Sequence, residues 1–363
     1  MFLVSTPASC ASRRPAFRAG SVAHGKLSAV ANMWLLELDG TPAERGKAAG
    51  ELLGEQVRWL LPRYLKQVAS VKSLSPSQKE RVAVLAAEIP RPYFEQLNAY
   101  AEAAKVDRTA LFAVNMAPEV FSAFACSCLA VTPERSADGK VRLARNLDWL
   151  GADLLADAGL VIIESGGEHV FASFSWPGLV GVATGINDAG LVVADLMALH
   201  TGSRRVQPGV PVLFAVRAVL EQRDSVQEAL AWLKSARRTL AQNYALADAA
   251  EARVVETSAT RFEVRGLTSG LAAITNFWGE QRGGAKDERY ARMMTLAGDS
   301  KLGVERLEHI LGRLAIRGMN IQAVVLEPET RKAYVARGKP PVAAGKWQVI
   351  DLSGWLGREK AEP

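Results

Sequence analysis

At Cys126 the spacing of apolar residues changes, and that change limits the chain to few architectures. Before it, Thr41-Pro42-Ala43-Glu44 reads as an N-cap, a proline at the first helical position and an early acid. Leu52, Leu53, Val57, Leu60, Leu61 and Tyr64 follow at helical spacing. Further helices are expected over 77–88, 93–104 and 108–114. After Cys126 the pattern is that of strands, at 127–132 and 140–146 about a turn at Ala137-Asp138-Gly139. More strands are expected at 159–164, 169–176, 180–186 and 191–196, the last two joined by a hairpin turn at Asn187-Asp188-Ala189-Gly190. Helices over 212–221 and 225–235, strands over 244–249, 253–258, 261–265 and 271–275, and helices over 287–297 and 303–314 come next. A strand pair at 321–326 and 332–336 closes the series. This order suits two stacked antiparallel sheets flanked by helices better than an alternating parallel fold.

Composition adds mainly exclusions. Of 363 residues, 49% are hydrophobic and 23% charged, enough apolar material for a large core. No run of about 18 apolar residues suggests a transmembrane helix. The net charge of +6 is concentrated in residues 1–32, where Arg13, Arg14, Arg18 and Lys26 stand without an acid. The rest is nearly balanced and lacks basic patches interleaved with aromatics, so nucleic acid is not an expected partner. Residues 1–32 read as a disordered tail, or as the result of a start assigned upstream of Met33. They contain no convincing signal peptide, and a cytoplasmic location is expected. Residues 33–125 form the helical segment and 126–363 the strand-rich region, together one composite domain. A homo-oligomer is compatible with this reading.

Histidine-based chemistry has little to work with. The four histidines are His24 in the tail, His169 at a hairpin edge, His200 at the end of an apolar run and His309 within a helical pattern. No zinc-protease, phosphate-loop, nucleophile-elbow or dinucleotide-binding motif is present. Cys10, Cys126 and Cys128 are too few for a disulfide framework, and no second pair completes a metal site. Neither a metal nor a cofactor is expected. A Cys126/Cys128 redox or metal pair stays open as an alternative.

The informative stretch runs Ala125-Cys126-Ser127-Cys128-Leu129-Ala130-Val131, then Asp138-Gly139-Lys140, then Arg145-Asn146-Leu147-Asp148-Trp149. It resembles the choloylglycine-hydrolase-like superfamily of Ntn-hydrolases, which includes acid ceramidase, bile salt hydrolases and the penicillin acyltransferases. The shared pattern is a cysteine followed by Thr or Ser, an apolar strand, a D-G-K-like turn and R-N-x-D-[WFY] on the returning strand. The step from Cys126 to Arg145 is similar to that of the penicillin acyltransferase-like branch. Thr41–Gly50, the hairpin around Asn187, the Thr275-Asn276 step and Arg289 extend the resemblance thinly over about residues 34–336. Ala125 stands where the penicillin acyltransferase has glycine. The asparagine that bile salt hydrolases carry shortly after the hairpin is absent, since 188–200 contains none.

That resemblance implies a four-layer αββα fold. It also implies a chain cut between Ala125 and Cys126, with Cys126 as nucleophile, Arg145 tuning its thiolate, Asp148 orienting the new amine and Asn276 donating to the oxyanion. Asn146, Trp149, Asn187 and Arg289 would bind substrate or support the site. The chemistry is self-consistent: an N-terminal cysteine carries its own amine, with an ordinary pKa near ~7.7–8.0, and needs no histidine as base. The implied substrates are N-acyl amides or acyl-CoA-like donors. Each feature alone has a plainer meaning, Cys126 as a small core residue, the R-N-x-D run as an ion pair, Asn276 as a turn former and Arg289 as a solvated charge. Arg145 and Asp148, three apart, point to opposite faces of an ideal strand, so a bulge or strand end would be needed to bring both to one site. A homologue that binds an acyl ligand without turnover is the other alternative.

Overall fold

The computed structural model describes residues 13–68, 74–121, 124–198, 206–278 and 287–357. Three strands come first, β1 (Gly20–Val22), β2 (Gly25–Val30) and β3 (Met33–Leu38). The helices α1 (Pro42–Val68), α2 (Pro76–Ala86), α3 (Arg91–Ala104), α4 (Arg108–Asn115) and α5 (Ala117–Val120) follow. The strand hairpin β4 (Phe124–Val131) and β5 (Arg142–Trp149) leads through α6 (Ala152–Leu155) to β6 (Leu160–Glu164), β7 (Phe171–Ser175), β8 (Thr184–Asn187) and β9 (Val192–Met197). Then come α7 (Val212–Gln222), α8 (Val226–Ser235), β10 (Gln242–Ala247), β11 (Ala252–Thr257), β12 (Phe262–Arg265) and β13 (Leu271–Ile274). Helices α9 (Glu288–Ala297) and α10 (Val304–Leu314), strands β14 (Asn320–Glu327), β15 (Lys332–Arg337) and β16 (Lys346–Asp351), and α11 (Ser353–Leu356) complete the chain.

The strands form two sheets. One has ten strands in the order β1-β2-β3-β6-β7-β8-β9-β10-β11-β12; the other has six, β13-β4-β5-β14-β15-β16. All neighbours are antiparallel except β3 and β6. β4 and β5 face β9 and β10 across the inter-sheet core, α7 and α8 cover the outside of the ten-stranded sheet, and α9 and α10 cover the six-stranded one. The result is an α+β, four-layer αββα architecture. A second apolar layer, with Val193, Val216, Leu220, Tyr244 and Leu246, lies between the ten-stranded sheet and α7 and α8. No helix among the described residues is long and apolar enough to cross a membrane.

Local chemistry explains the elements legible in the sequence. Thr41 and Glu44 cap α1 reciprocally, with the Thr41 N–H donating to Glu44 Oε2 at 2.7 Å and the Glu44 N–H to Thr41 Oγ1 at 3.4 Å. At the β8–β9 turn, Gly190 has φ +88°, and a Cβ there would lie 2.7 Å from the Pro328 carbonyl oxygen. Asn187 closes the same turn by accepting the Leu191 N–H at 2.8 Å.

The structure departs from expectation at both ends. Residues 20–30, expected in a disordered tail, form β1 and β2 and extend the ten-stranded sheet. Only Leu27 of β1 and β2 is fully buried, so the period-two signal is faint. Strand β3, Met-Trp-Leu-Leu-Glu-Leu, is a near-continuous apolar run without a readable period. Strand β16 is an edge with Ile350 as its one buried side chain, so it carries almost no pattern. Residues 1–12, with Cys10, and residue His200 lie outside the described residues.

Candidate active site

The hairpin of β4 and β5 pairs without a break through eight residues, with Ala125 opposite Asp148, Cys126 opposite Leu147, Ser127 opposite Asn146 and Cys128 opposite Arg145. Strand alternation then divides the candidates between two faces. Cys126, Cys128 and Arg145 point toward the ten-stranded sheet; Ser127, Asn146 and Asp148 point toward α9 and α10. The bulge expected to unite Arg145 with Asp148 is absent from this pairing. The irregularity lies on the next strand, β14, between Asn320 and Gln322.

On the inner face, Cys126 is 2% exposed and its Sγ lies 3.4 Å from Arg145 Nη2. Burial pushes its thiol up to about 11, against the pull of the Arg145 charge, while Asp195 and Asp148 push it further up. The Arg145 guanidinium is held through its two terminal nitrogens, while its Nε is buried without a partner among the described residues. Its Nη1 donates to the Ala183 carbonyl at 2.9 Å and to Thr184 Oγ1, and Nη2 donates to the Asp195 carbonyl at 2.6 Å. Asn276 follows β13, which pairs antiparallel to β4 with Ile274 opposite Cys128. Continuing that register brings Asn276 level with Cys126. The Cys126 N–H donates to Asn276 Oδ1 at 2.8 Å, and Asn276 Nδ2 donates to the Met197 carbonyl at 2.7 Å.

The outer face holds a second cluster. Asp148 Oδ2 accepts from Arg289 Nη2 at 2.6 Å, and its Oδ1 accepts from Asn320 Nδ2 at 3.0 Å and from the Ile316 N–H at 3.2 Å. Burial raises the Asp148 carboxyl, and Arg289 and these donors oppose it. Arg289 Nη2 also donates to Ser127 Oγ at 3.3 Å. It is therefore Asn276, not Asp148, that bonds the nitrogen of Cys126. Asp148 lies across the ladder from Ala125, whose carbonyl the expected cut would attack.

Three expected supporting residues are used structurally. Asn146 Nδ2 donates to the Leu311 carbonyl of α10 at 2.9 Å. Trp149 donates from Nε1 to Tyr64 Oη at 2.7 Å and packs against Phe124, with ring centroids 3.9 Å apart. Asn187 Nδ2 caps the end of α7 through the Leu220 and Arg223 carbonyls. The described histidines serve elsewhere, His169 between Asp188 and Asp224, His24 beside Asp39, and His309 on α10. Cys128 is fully buried beside Arg145 with its thiol pushed up by burial, and neither it nor Cys126 is in a disulfide. Among the described residues no group of three His, Cys, Asp or Glu side chains could hold a metal.

Four residues escaped the sequence reading. Asp195 on β9 lies against Arg145, and Gln242 Nε2 donates to its Oδ2 at 2.7 Å. Asn320 ties Asp148 to Asn146 and to the Ala343 N–H. Glu119 of α5 is buried seven residues before Cys126. Asp195 had a signal, as the lone charge in Leu191-Val192-Val193-Ala194-Asp195-Leu196-Met197. The others sit in unremarkable local sequence.

The chain is similar to several known proteins. The family model for acyl-coenzyme A:6-aminopenicillanic acid acyl-transferase matches residues 135–296. The chain is 25% identical over 261 residues to protein dcd1B of Dictyostelium discoideum, covering 63% of this chain and 51% of that protein. It is 23% identical over 267 residues to an uncharacterized protein of Archaeoglobus fulgidus, covering 64% and 45%. The chain thus spans about half the length of these relatives. Among solved structures, a conjugated bile acid hydrolase mutant from Clostridium perfringens aligns with TM-score 0.47 and 15% identity, over 64% of this chain and 95% of that one. The Caenorhabditis elegans ortholog of N-acylethanolamine-hydrolyzing acid amidase aligns with TM-score 0.46 and 18% identity, over 56% and 93%. Residues 135–296, which run from the β4–β5 hairpin through α9, are thus similar to the penicillin acyltransferase-like family, on an αββα frame.

Proposed function

We propose that the chain is a self-processing cysteine Ntn-hydrolase that cleaves a linear N-acyl amide, or transfers its acyl group, through a thioester on Cys126. The observation that carries this reading is the pair of contacts on Cys126, Arg145 Nη2 at its sulfur and Asn276 Oδ1 at its nitrogen. Both contacts favour the atoms in the roles the chemistry requires. In processing, Sγ adds to the Ala125 carbonyl, the Ala125–Cys126 amide bond breaks, and the nitrogen leaves as the new α-amine. Water then hydrolyses the Ala125 thioester.

In turnover that amine, kept near Sγ by Asn276 Oδ1, takes the thiol proton, and Arg145 stabilises the thiolate. The thiolate adds to the substrate carbonyl, the substrate C–N bond breaks and its amine leaves with the proton handed over by the Cys126 α-ammonium; water or an acceptor amine then releases the acyl group from sulfur. The Asn276 NH2 group, on the Met197 carbonyl in the uncut chain, turns to the oxyanion in this scheme. Asp148 and Arg289 act from the other face by fixing the end of β5 opposite Ala125. A second reading, an acyl-ligand-binding homologue without turnover, is favoured by the full burial of Cys126 and its raised thiol.

Intact mass under denaturing conditions, compared with Cys126→Ala, separates the two. Fragments 1–125 and 126–363 in the wild type, with the variant whole, support processing. A single full-length mass in both sinks the Ntn mechanism and leaves the binding protein.

A further inference from the structure

Arg145 is fully buried, and among the described residues one carboxylate lies within ion-pair reach of it, that of Asp195. The same nitrogen, Nη2, is 3.4 Å from Cys126 Sγ and 3.5 Å from Asp195 Oδ1, and it donates to the Asp195 backbone carbonyl at 2.6 Å. One buried cation therefore stands between two groups that can each become an anion. With both ionised the site would hold a net negative charge away from water, and with neither ionised a net positive one. Each of these is disfavoured in a medium that solvates charge poorly.

We propose that Asp195 competes with Cys126 for the charge of Arg145, the two sharing one proton across the guanidinium, so that an ionised Asp195 keeps the sulfur a thiol. The inference rests on the proposed function in taking Cys126 as the reacting group. Its physical content is a coupled titration that needs neither cleavage nor substrate.

The surroundings fit this assignment. Asp195 is 3% exposed, so its charge is screened by protein groups and not by solvent. Gln242 Nε2 donates to Oδ2 and favours the ionised form. From β10, Tyr244 is the ladder partner of Asp195. Glu119 acts on both from α5. From β4, Cys126 and Cys128 face Arg145, while Asp148 acts on Cys126 from the outer face. The charged residues of α7, Arg217 and Glu221, are engaged with each other and with Glu164. Burial lifts the Asp195 carboxyl to about 6 against the pull of Arg145, so its proton is exchanged close to neutrality.

Asp195→Asn removes the competing charge while keeping the shape. Gln242 can accommodate it, because its Oε1 is buried without a partner among the described residues and can turn to accept from the new amide. The measurement is alkylation of Cys126 by iodoacetamide from pH 6 to 11, read by mass on the peptide that carries it. The expected result is a rate-against-pH curve displaced to lower pH by about one unit or more, hence about tenfold faster alkylation at pH 8. Asp195→Ala repeats the charge removal with a different side chain and should shift the curve the same way. A curve that stays put or moves to higher pH in the folded variants overturns the proposal, since Asp195 would then only hold Arg145 in place. A curve moved to lower pH in a chain that is neither cut nor active would retire the hydrolase and keep the competition. A cut, active wild type with an unmoved curve would do the reverse.

Discussion

Glu119 is 1% exposed on the short helix α5 and offers a way to test the buried electrostatics apart from catalysis. Its Oε1 accepts the Val212 N–H at 2.7 Å and the Thr239 hydroxyl at 2.8 Å, and its Oε2 is buried without a partner among the described residues. Burial raises its carboxyl from an ordinary 4.5 to about 7, with the two donors pulling the other way. A carboxyl raised in this way binds its proton more tightly in the folded chain than in the unfolded one. Stability therefore rises as the pH falls from 8 toward 5.5. Linkage between 4.5 and about 7 gives a cost of about 3 kcal/mol at pH 8 and about 1 kcal/mol at pH 5.5, a change of about 2 kcal/mol.

Glu119→Gln keeps Oε1 for both donors and has no charge to titrate. The assay is urea unfolding followed by tryptophan fluorescence, in Cys126→Ala chains so that the protein stays whole. At pH 8 the glutamine chain also carries an unpaired buried NH2, which costs about 1–3 kcal/mol. The informative quantity is hence the change in the gap between the two chains with pH. Relative to its parent, Glu119→Gln should lose about 2 kcal/mol on going from pH 8 to pH 5.5. Asp195 titrates in the same window and is coupled to Glu119, so both chains also carry Asp195→Asn, which removes that contribution. A gap that is equal at the two pH values, or that moves in favour of the glutamine chain in acid, would refute a raised Glu119 carboxyl.

Two further outcomes follow from the same geometry. Asn276→Ala removes both the acceptor of the Cys126 N–H and the donor assigned to the oxyanion, and should slow appearance of fragments 1–125 and 126–363 by about 10²–10³ in a mass time course. Once cut, the two fragments should co-elute on native gel filtration and separate only in denaturant. Strand β3 pairs with β6 across the division, and Arg45–Glu164, Gln96–Glu164 and Tyr93–Glu221 join the fragments through buried polar contacts.

The legible part of the fold was the part with a clean period. Helix α1 announces itself through its cap and spacing, and the turn at Asn187–Gly190 through a required glycine. What was hidden is buried on both faces or on neither. Strand β3 lies inside a ten-stranded sheet between strand and helix layers, and β16 is a solvated edge, so alternation disappears in both for opposite reasons. The N-terminal strands needed the sheet they join; nothing local in Gly20–Val22 demands an extended conformation.

At the site, the motif pointed to Cys126, Arg145 and Asn276, which the structure brings together, and left their orientation open. Cys126, Arg145 and Asn276 meet because β13, β4 and β5 are adjacent and in register, a consequence of topology that the motif carries only implicitly. Asp148 belongs to the same motif but faces the other way, since an unbulged strand must alternate. Its carboxylate is already engaged by Arg289, Asn320 and the Ile316 N–H. To orient the new amine by direct contact, Asp148 would have to leave these partners, or the freed N-terminus would have to swing past the strand. Asn276 already holds that nitrogen before any cut. The simpler division gives Asn276 the amine and leaves Asp148, with Arg289, to hold the end of β5 against which the scissile residue is set. On this division Asp148→Asn should impair processing more than later turnover, because only processing depends on where Ala125 lies. Equal losses in processing and in steady-state turnover of a chain already cut would return Asp148 to the amine.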